Sequence, residues 1–372
     1  MGVPVLDLTR QYASIREEVE GAVREVFETQ HFILGQNGAS LEKECAAHLG
    51  AAHAVGCASG TDAILLGLRA LGLRPGEGVL TTSFTFFATA GAIHNAGGRP
   101  VFADIEPGSF NIAPAAVETA ITPRTRAIVI VHLFGQMADV GAFAALAKKH
   151  NLMLIEDAAQ SIGARRKVDG QWRAAGELGT VGSFSFFPTK NLGAWGDGGM
   201  MVAQDDTLAA RLRRERLHGG AREYYHDEVG LNSRLDSIQA AVLLAKLPYL
   251  AAWSARRREI AMHYNQALAG VPGVTTPPTD PANEHIFHQY TIRAERRDAL
   301  SAHLKSRGIG HKVYYPLALH EQPCFAHLGV RRGALPVTER ATNEVVSLPI
   351  YPELTSEQQD AVIAAVREFP KA

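Results

Sequence analysis

The chain has 372 residues, of which 46% are apolar and 20% are charged, as is typical of a folded globular protein. Its 37 basic and 38 acidic residues give a net charge of -1, which argues against a nucleic-acid or anionic-membrane partner. Three widely spaced cysteines argue against a disulfide framework or a cysteine zinc site and favour a reducing cytoplasm. We also expect no metal site, signal peptide or membrane span.

In chain order, the first predicted elements are helices. Apolar side chains recur at helical spacing over residues 14–28, and a second helix is predicted to begin near Ser40. From about residue 53, short apolar strands alternate with helices, a pattern typical of a mostly parallel sheet with helices on both faces. Two strands without an intervening helix follow at 180–187 and 198–204. The sequence therefore predicts an α/β protein with a three-layer α/β/α large domain.

A smaller unit is predicted towards the C-terminus. A long helix over 233–268 should break or kink at Pro248, and the segment 270–286, rich in proline and glycine, is typical of a surface linker. The predicted elements after it are a strand at 288–294, a helix at 296–308 and a strand at 311–318. We therefore expect a large domain over residues 1–250 and a small C-terminal α/β domain over residues 251–372.

The first two strand ends carry small and aromatic residues, at the edge where parallel sheets bind ligands. Gly60 and Thr61 begin a helix, whose free N–H groups and positive dipole end favour a phosphate. The simpler alternative is a helix cap formed by Ser59 or Thr61. Phe86 follows the next strand and is placed to stack on a flat ring, although most aromatic side chains belong to cores.

Two later strand ends carry an acid and a lysine. Asp157 ends a buried strand, where a carboxylate needs a partner such as a protonated pyridine nitrogen, and Gln160 is placed to bind a phenolic oxygen. Lys190 follows an apolar strand, in a glycine-rich loop where desolvation would lower its pKa and favour imine formation. Ser185, five residues earlier, can reach a phosphate. The simpler alternatives are that Asp157 is an exposed acid at a helix start and that Lys190 is an exposed loop lysine. Pyridoxal 5'-phosphate accounts for all these strand ends together.

The sequence resembles the DegT/DnrJ/EryC1/StrS group of sugar aminotransferases over nearly its whole length. The matching segments are ASGTDAI at 58–64, SFTFFATA at 83–90, EDAAQSIGA at 156–164, SFSFFPTKNLG at 183–193 and GLNSRLDSIQAA at 230–241. This resemblance implies the fold of type I pyridoxal-phosphate transferases. It also implies that Lys190 binds the cofactor covalently and carries the proton, while Asp157 pairs with the ring nitrogen. Phe86 is then expected to lie against the ring, and Gln160 to contact the phenolic oxygen.

The same resemblance implies a shared phosphate site. Gly60 and Thr61 hold the phosphate through their backbone, together with Ser185. Asn232 reaches the phosphate from a neighbouring subunit, which implies a homodimer with shared active sites.

The implied reaction moves an amino group from L-glutamate to a keto group of a nucleotide-linked sugar, for amino-sugar, polysaccharide or natural-product biosynthesis. The segments 230–241 and 311–325 look more like those of members that aminate carbon 3 than carbon 4. The candidate contacts for the sugar or its diphosphate are Arg234, His311, Tyr314, Tyr315 and His320. A strand at 311–318 would turn one of the two tyrosines into the core, and a structural role for His320 is an equal alternative.

Three other functions compete with this interpretation. The first is an aminotransferase acting on a keto-cyclitol or an amino-ring precursor, and the second is a non-catalytic regulator that binds the cofactor. Retention of both Lys190 and Asp157 argues against the regulator. The third, a nucleotide-binding oxidoreductase, would require a G-x-G-x-x-G turn after the first strand, where this chain has CASGTDA.

Overall fold

The computed structural model describes residues 2–369, and its N-terminal part is helical, as predicted. The helix expected at 14–28 is divided at Ile15, and the one expected near Ser40 begins earlier, at Gln36. The helices are α1 Leu8–Ser14, α2 Arg16–Thr29, α3 Gln36–Leu49, α4 Gly60–Ala70, α5 Ala88–Asn95, α6 Pro114–Ala120, α7 Val140–His150, α8 Asp206–Glu215, α9 Ser237–Lys246, α10 Leu250–Leu268, α11 Arg297–Ser306, α12 Pro336–Glu344 and α13 Ser356–Arg367.

Thirteen strands are present in residues 2–369, and seven of them form one sheet in the order β1-β9-β8-β5-β4-β2-β3. Only β9 runs antiparallel to its neighbours in this sheet, which confirms the predicted mostly parallel arrangement. The strands are β1 His53–Cys57, β2 Gly78–Thr82, β3 Arg99–Ala103, β4 Thr125–Val131, β5 Met153–Asp157, β6 Arg165–Val168, β7 Gln171–Ala174, β8 Val181–Ser185, β9 Gly199–Ala203, β10 Val274–Thr275, β11 Asn283–Glu284, β12 Tyr290–Ala294 and β13 Val345–Leu348.

The large sheet is buried on both faces. On β4, Ile128 and Ile130 belong to one apolar cluster, whereas Ala127 and Val129 belong to another on the opposite face. Successive strand side chains point to opposite faces, so burial of both faces requires a continuous apolar run. This explains why β4 is apolar from Ala127 to Val131 and confirms the predicted three layers.

One helical run, Ser237–Leu268, is long and apolar enough to cross a membrane by length and composition alone. It consists of α9, a 3-10 turn containing Pro248 and then α10, so the predicted break is present. Leu243 and Leu250 are buried in the same apolar cluster that covers the large sheet. The run therefore packs, at least in part, as a core element.

A second apolar core lies under the sheet β10-β12-β13, where Ile260 of α10, Ile292 of β12 and Val362 of α13 are buried together. Val3, near the N-terminus, forms a bridge with Ile309 and joins this core. The domain boundary at residue 250 stays a prediction.

The strand predicted at 311–318 is wrong. Only Lys312 pairs there, as an isolated bridge with Ser347, and the chain beyond it is irregular. Pro316 lacks the N–H that a ladder requires, and Tyr314 and Tyr315 pack instead against the aromatic cluster around Phe84.

A small hairpin of β6 and β7, paired with β11, was not predicted. Its turn is Asp169-Gly170, and both residues have positive φ, 49° and 78°. Asp-Gly between two short strands is the usual signal for such a hairpin turn. The signal was therefore present in the sequence.

Candidate active site

A cavity of about 440 Å³ opens at the carboxyl ends of β2, β4, β5 and β8. Its size is that of a small-molecule site. Seven of the eight predicted cofactor residues line it, namely Gly60, Thr61, Phe86, Asp157, Gln160, Ser185 and Lys190. The parallel order of the strands brings these residues together, because equivalent strand ends lie at one edge of the sheet.

Asp157 is a buried acid at the end of β5, and it faces the cavity. The Thr89 hydroxyl donates to its Oδ2 at 2.7 Å and the Ala159 N–H donates to its Oδ1 at 3.2 Å. Burial raises the pKa of Asp157, although these two hydrogen bonds and the charge of Lys190 act in the opposite direction. Asp157 has no salt-bridge partner within residues 2–369, so a cation bound in the cavity would complete its interactions.

The acid before it, Glu156, has a different role. Its carboxylate binds the His132 ring at 2.7 Å and accepts backbone N–H groups of Gly176, Leu178 and Gly179. These protein groups account for its burial. Of two adjacent acids on β5, only Asp157 is therefore available to a ligand.

Lys190 lies in the loop after β8 and is half-buried in the cavity wall. Desolvation lowers its pKa to about 8, from 10.5, although the charge of Asp157 favours the protonated form. The alternative of a solvated loop lysine is therefore wrong. A lysine with this pKa has a substantial fraction of free amine near neutral pH, as imine formation requires.

We expect the reactivity of Lys190 in the cofactor-free protein to rise with pH, to reach half of its maximum at about pH 8 and to level off above that. Its pKa is about 8, and only the neutral amine is nucleophilic. The measurement is the rate of labelling by trinitrobenzenesulfonate, followed by mass spectrometry of the peptide. A short lysine peptide, whose amine has the ordinary pKa of about 10.4, should continue to gain reactivity at higher pH. Parallel pH profiles for Lys190 and the peptide would contradict the prediction.

The loop after β1 forms a cup at the N-terminus of α4. Ser59 is the cap residue, as the simpler interpretation proposed, and its hydroxyl accepts the Asp62 N–H at 3.1 Å. The N–H groups of Gly60 and Thr61 have no partner within residues 2–369 and lie at the cavity wall. The cap and an anion site are thus compatible, because they use different N–H groups.

Gly60 is required by the close approach of Ser185. A Cβ at residue 60 would lie 2.6 Å from the Ser185 Cβ, closer than two carbon atoms can pack. We expect Gly60→Ala to lower the free energy of unfolding by about 1–3 kcal/mol and to weaken cofactor retention. Urea denaturation and equilibrium dialysis would measure the two effects.

Gly21→Ala is the matched control for this substitution. Gly21 lies inside α2, and its added Cβ would meet nothing within 4 Å. Alanine there should raise the free energy of unfolding by roughly 0.5–1 kcal/mol, because glycine is a poor helix former. Equal stability changes in the two variants would contradict the close-packing argument.

Aromatic and amide groups form another wall of the cavity. Phe86 is 59% exposed, so it is available to a ligand and is not a core residue. Gln160 accepts the Phe134 N–H at 2.7 Å and donates to the Tyr315 hydroxyl at 3.1 Å. Tyr314 and Tyr315 both line the cavity, so the expectation that one of them faces the core is wrong.

Four predicted residues do not line the cavity, namely Asn232, Arg234, His311 and His320. Asn232 is exposed and Arg234 is half-buried, both beside Ser233, whose hydroxyl binds the Ala58 N–H and the Asp62 carboxylate. His311 is also outside the cavity, and its Nδ1 lies 3.0 Å from the Ile309 carbonyl oxygen.

His320 is a correction to the predicted substrate contacts. It is buried, its Nδ1 lies 2.7 Å from the Ser83 hydroxyl, and its Nε2 lies 3.3 Å from Glu339. Both ring nitrogens therefore have protein partners outside the cavity. The alternative of a structural histidine describes its position.

Sequence reasoning missed two residues at the cavity. Thr89 supports Asp157 directly, and its position one helical turn after Thr85 gave no distinctive signal. His288 lines the cavity wall, with its Nδ1 3.0 Å from the Asn191 amide oxygen. It comes from a segment about 100 residues beyond Lys190, and no local pattern links the two.

The cavity fits pyridoxal phosphate on its own chemistry. It has an amine with a lowered pKa, a buried acid without a salt bridge, a cup of unpaired N–H groups and an exposed aromatic face. These groups match the aldehyde, the ring nitrogen, the phosphate and the flat ring of the cofactor.

Comparisons with known proteins agree with this fit. The profile of the DegT/DnrJ/EryC1/StrS aminotransferase family matches residues 13–367. A Geobacillus stearothermophilus protein named pleiotropic regulatory protein is 52% identical over 99% of each chain. The UDP-N-acetyl-3-dehydro-alpha-D-glucosamine 3-aminotransferase of Acidithiobacillus ferrooxidans is 44% identical over 98% of this chain and 97% of that protein. The crystal structure of S. venezuelae DesV in complex with a ketimine intermediate has a TM-score of 0.95 and 43% identity, covering 99% of this chain and 98% of that one.

The profile spans nearly the whole chain, and the solved relative shares its fold throughout. The predicted fold type I architecture is therefore confirmed. The chain belongs to the DegT/DnrJ/EryC1/StrS aminotransferase family and is a pyridoxal-phosphate-dependent aminotransferase.

Proposed function

We propose that this aminotransferase moves an amino group from L-glutamate to the 3-keto group of a nucleotide-linked sugar. The single observation that supports it best is that Lys190 and Asp157 line one cavity large enough for cofactor and substrate. The 3-keto preference is supported by the relative named as a 3-aminotransferase, which is 44% identical. Tyr314 and Tyr315, in the same cavity, are the proposed sugar contacts, with Arg234 and His311 as candidates farther out.

In this proposal each residue has a distinct task. Bound pyridoxal phosphate supplies an electron sink for the charge left on the donor carbon. Lys190 holds the cofactor and, once released, carries the proton between the donor carbon and the cofactor. Asp157 keeps the ring nitrogen protonated, and Thr89 orients Asp157 through its 2.7 Å hydrogen bond.

The remaining cofactor contacts fix its position. The N–H groups of Gly60 and Thr61, with the Ser185 hydroxyl, bind the phosphate at the start of α4. Phe86 covers one face of the ring. Gln160 contacts the phenolic oxygen with its amide N–H, which otherwise donates to Tyr315.

We propose a homodimer in which Asn232 completes the partner's phosphate site. Asn232 is exposed and outside its own chain's cavity lining. Mixing inactive Lys190→Ala and Asn232→Ala proteins tests this, because a mixed dimer regains one intact site only if Asn232 acts across the interface. Activity in the mixture supports a shared site, and its absence after verified subunit exchange contradicts it.

We place the enzyme in the cytoplasm, in keeping with three cysteines that are all free.

A regulator is the second candidate, because the 52% identical relative carries that name. L-glutamate separates the two functions. An enzyme should lose the absorbance of the lysine-bound cofactor and gain that of the pyridoxamine form, whereas a regulator that does not turn over should keep its spectrum.

Paired 3-keto and 4-keto nucleotide sugars then test the acceptor. We expect faster return of the original spectrum with the 3-keto substrate. Equal or faster return with the 4-keto sugar would contradict the carbon-3 proposal, and a keto-cyclitol serves as the third arm.

A further inference from the structure

A second cavity of about 200 Å³ adjoins the Lys190 cavity, on the side of the small C-terminal sheet. The two cavities share Thr189, His288, Gln289 and Tyr314 as walls. The two cavities therefore meet at these four residues. None of the predicted cofactor residues lines it.

A buried arginine lines this second cavity. Arg257 of α10 is only 4% exposed, and its Nη1 donates to the carbonyl oxygens of Phe287, His288 and Ile350. Its Nε and Nη2 have no hydrogen-bond partner within residues 2–369, and neither atom is fully enclosed by protein. Only the two N–H donors on Nη1, of the five on the guanidinium, are thus satisfied by protein, and the other three are available to the cavity.

The positive charge of Arg257 is not neutralised. It forms no salt bridge within residues 2–369, although the charge of Glu353 acts on it from farther away. Burial lowers the pKa of Arg257 to about 10, which leaves it protonated at neutral pH. A buried cation of this kind is unfavourable unless an anion accompanies it.

A second cation gives the cavity the character of an anion site. Lys312 lines it and has no salt bridge within residues 2–369, while its backbone is held by the bridge to Ser347. No carboxylate among residues 2–369 lines the second cavity, so an entering anion meets two cations and no acid there.

We propose that Arg257 and Lys312 form a carboxylate subsite that holds a carboxylate of the amino donor while its amine reaches Lys190. This rests on the proposed function and adds the residues that select the donor. His288 lies between the two sites, because it lines both cavities. Burial lowers the pKa of its imidazole, and the charges of Lys190 and Arg257 act in the same direction. A planar guanidinium is suited to a carboxylate, which it can bind through two parallel hydrogen bonds.

The test uses the holoenzyme and glutarate, a dicarboxylate without an amine that binds but cannot react. Glutaramide, the uncharged diamide of the same shape, is the control ligand. Isothermal titration calorimetry compares the wild type with Lys312→Gln, Lys312→Arg and Arg257→Gln. We expect Arg257→Gln to raise the Kd for glutarate by about tenfold or more, because a charge-assisted hydrogen bond is lost. Lys312→Gln should raise it severalfold, and Lys312→Arg should retain binding.

Lys312→Gln keeps the test decisive if Arg257→Gln does not fold, because the Lys312 side chain is exposed and has no structural partner within residues 2–369. The subsite is overturned if the wild type does not prefer glutarate to glutaramide, or if Lys312→Gln binds glutarate as tightly as the wild type. Glutarate binding needs no turnover. Failure of L-glutamate to produce the pyridoxamine form would therefore count against the proposed function separately.

The carboxylate could also come from the acceptor sugar, and steady-state kinetics distinguishes the two sources. For a donor subsite, Lys312→Gln should raise the KM for L-glutamate severalfold and leave the KM for the keto sugar unchanged. A raised KM for the sugar with an unchanged KM for glutamate would overturn the assignment to the donor.

Discussion

Lys190→Ala should abolish transamination, with a loss in kcat/KM of at least about 10²–10⁴-fold, the usual contribution of a positioned general acid/base. In the proposed mechanism this one side chain both binds the cofactor and carries the proton, and no other lysine among residues 2–369 lines the main cavity. Lys190→Arg should be equally inactive, because arginine stays protonated and cannot supply a free amine. The measurements are the L-glutamate half-reaction by stopped-flow absorbance and borohydride reduction followed by peptide mapping.

Lys43→Ala is the control for this prediction. Lys43 is exposed on α3, away from the cavity, and its loss should leave the half-reaction unchanged. A Lys190→Ala protein that still forms the reducible adduct, or that still converts glutamate at the wild-type rate, would refute the assignment of Lys190.

Asp157→Asn should have the second-largest effect. Asparagine keeps the size of the side chain and can still accept the Thr89 hydrogen bond, but it lacks the charge that pairs with a protonated ring nitrogen. Removing one partner of a buried charge pair costs about 3–5 kcal/mol, so we expect turnover to fall by roughly 10²–10⁴-fold. Stopped-flow kinetics with L-glutamate and the cofactor Kd by dialysis measure the two consequences.

Asp169→Asn is the matched control. Asp169 lies at the exposed turn of the small hairpin with φ of 49°, a conformation that asparagine also adopts readily. This variant should keep wild-type turnover. Asp157→Asn with full activity would remove Asp157 from the proposed mechanism, and the orientation by Thr89 would then have no functional meaning.

The helix break at Pro248 and the antiparallel pair β8 and β9 followed from local patterns in the sequence. So did the positions of Asp157 and Lys190 at strand ends. Each depends on a few neighbouring residues: a missing N–H, two apolar runs without a helix between them, or a polar residue at the end of a buried strand. Parallel pairing then brings such strand ends together, because they lie at one edge of the sheet.

The residues from the C-terminal half of the chain could not be placed in the same way. His320 is of a residue type that commonly contacts substrates. In the structure its ring instead forms a hydrogen bond with Ser83, more than 200 residues earlier in the chain. Tyr315 joins the cavity because its segment leaves the small sheet after Lys312 and meets Gln160. Arg257 lies in an arginine-rich helix, and nothing in that pattern distinguishes it from Arg256 and Arg258, which are only half-buried.

By itself, therefore, the sequence determined the alternating α/β architecture, the cofactor and the residues at the strand ends, because these depend on short-range periodicity and a single sheet edge. The tertiary structure decided which later side chains enter the site and which remain in the packing. It also revealed the second cavity, with Arg257 partly unpaired. These outcomes depend on contacts between segments distant in sequence, whose burial and hydrogen bonding are set only when the whole chain has folded.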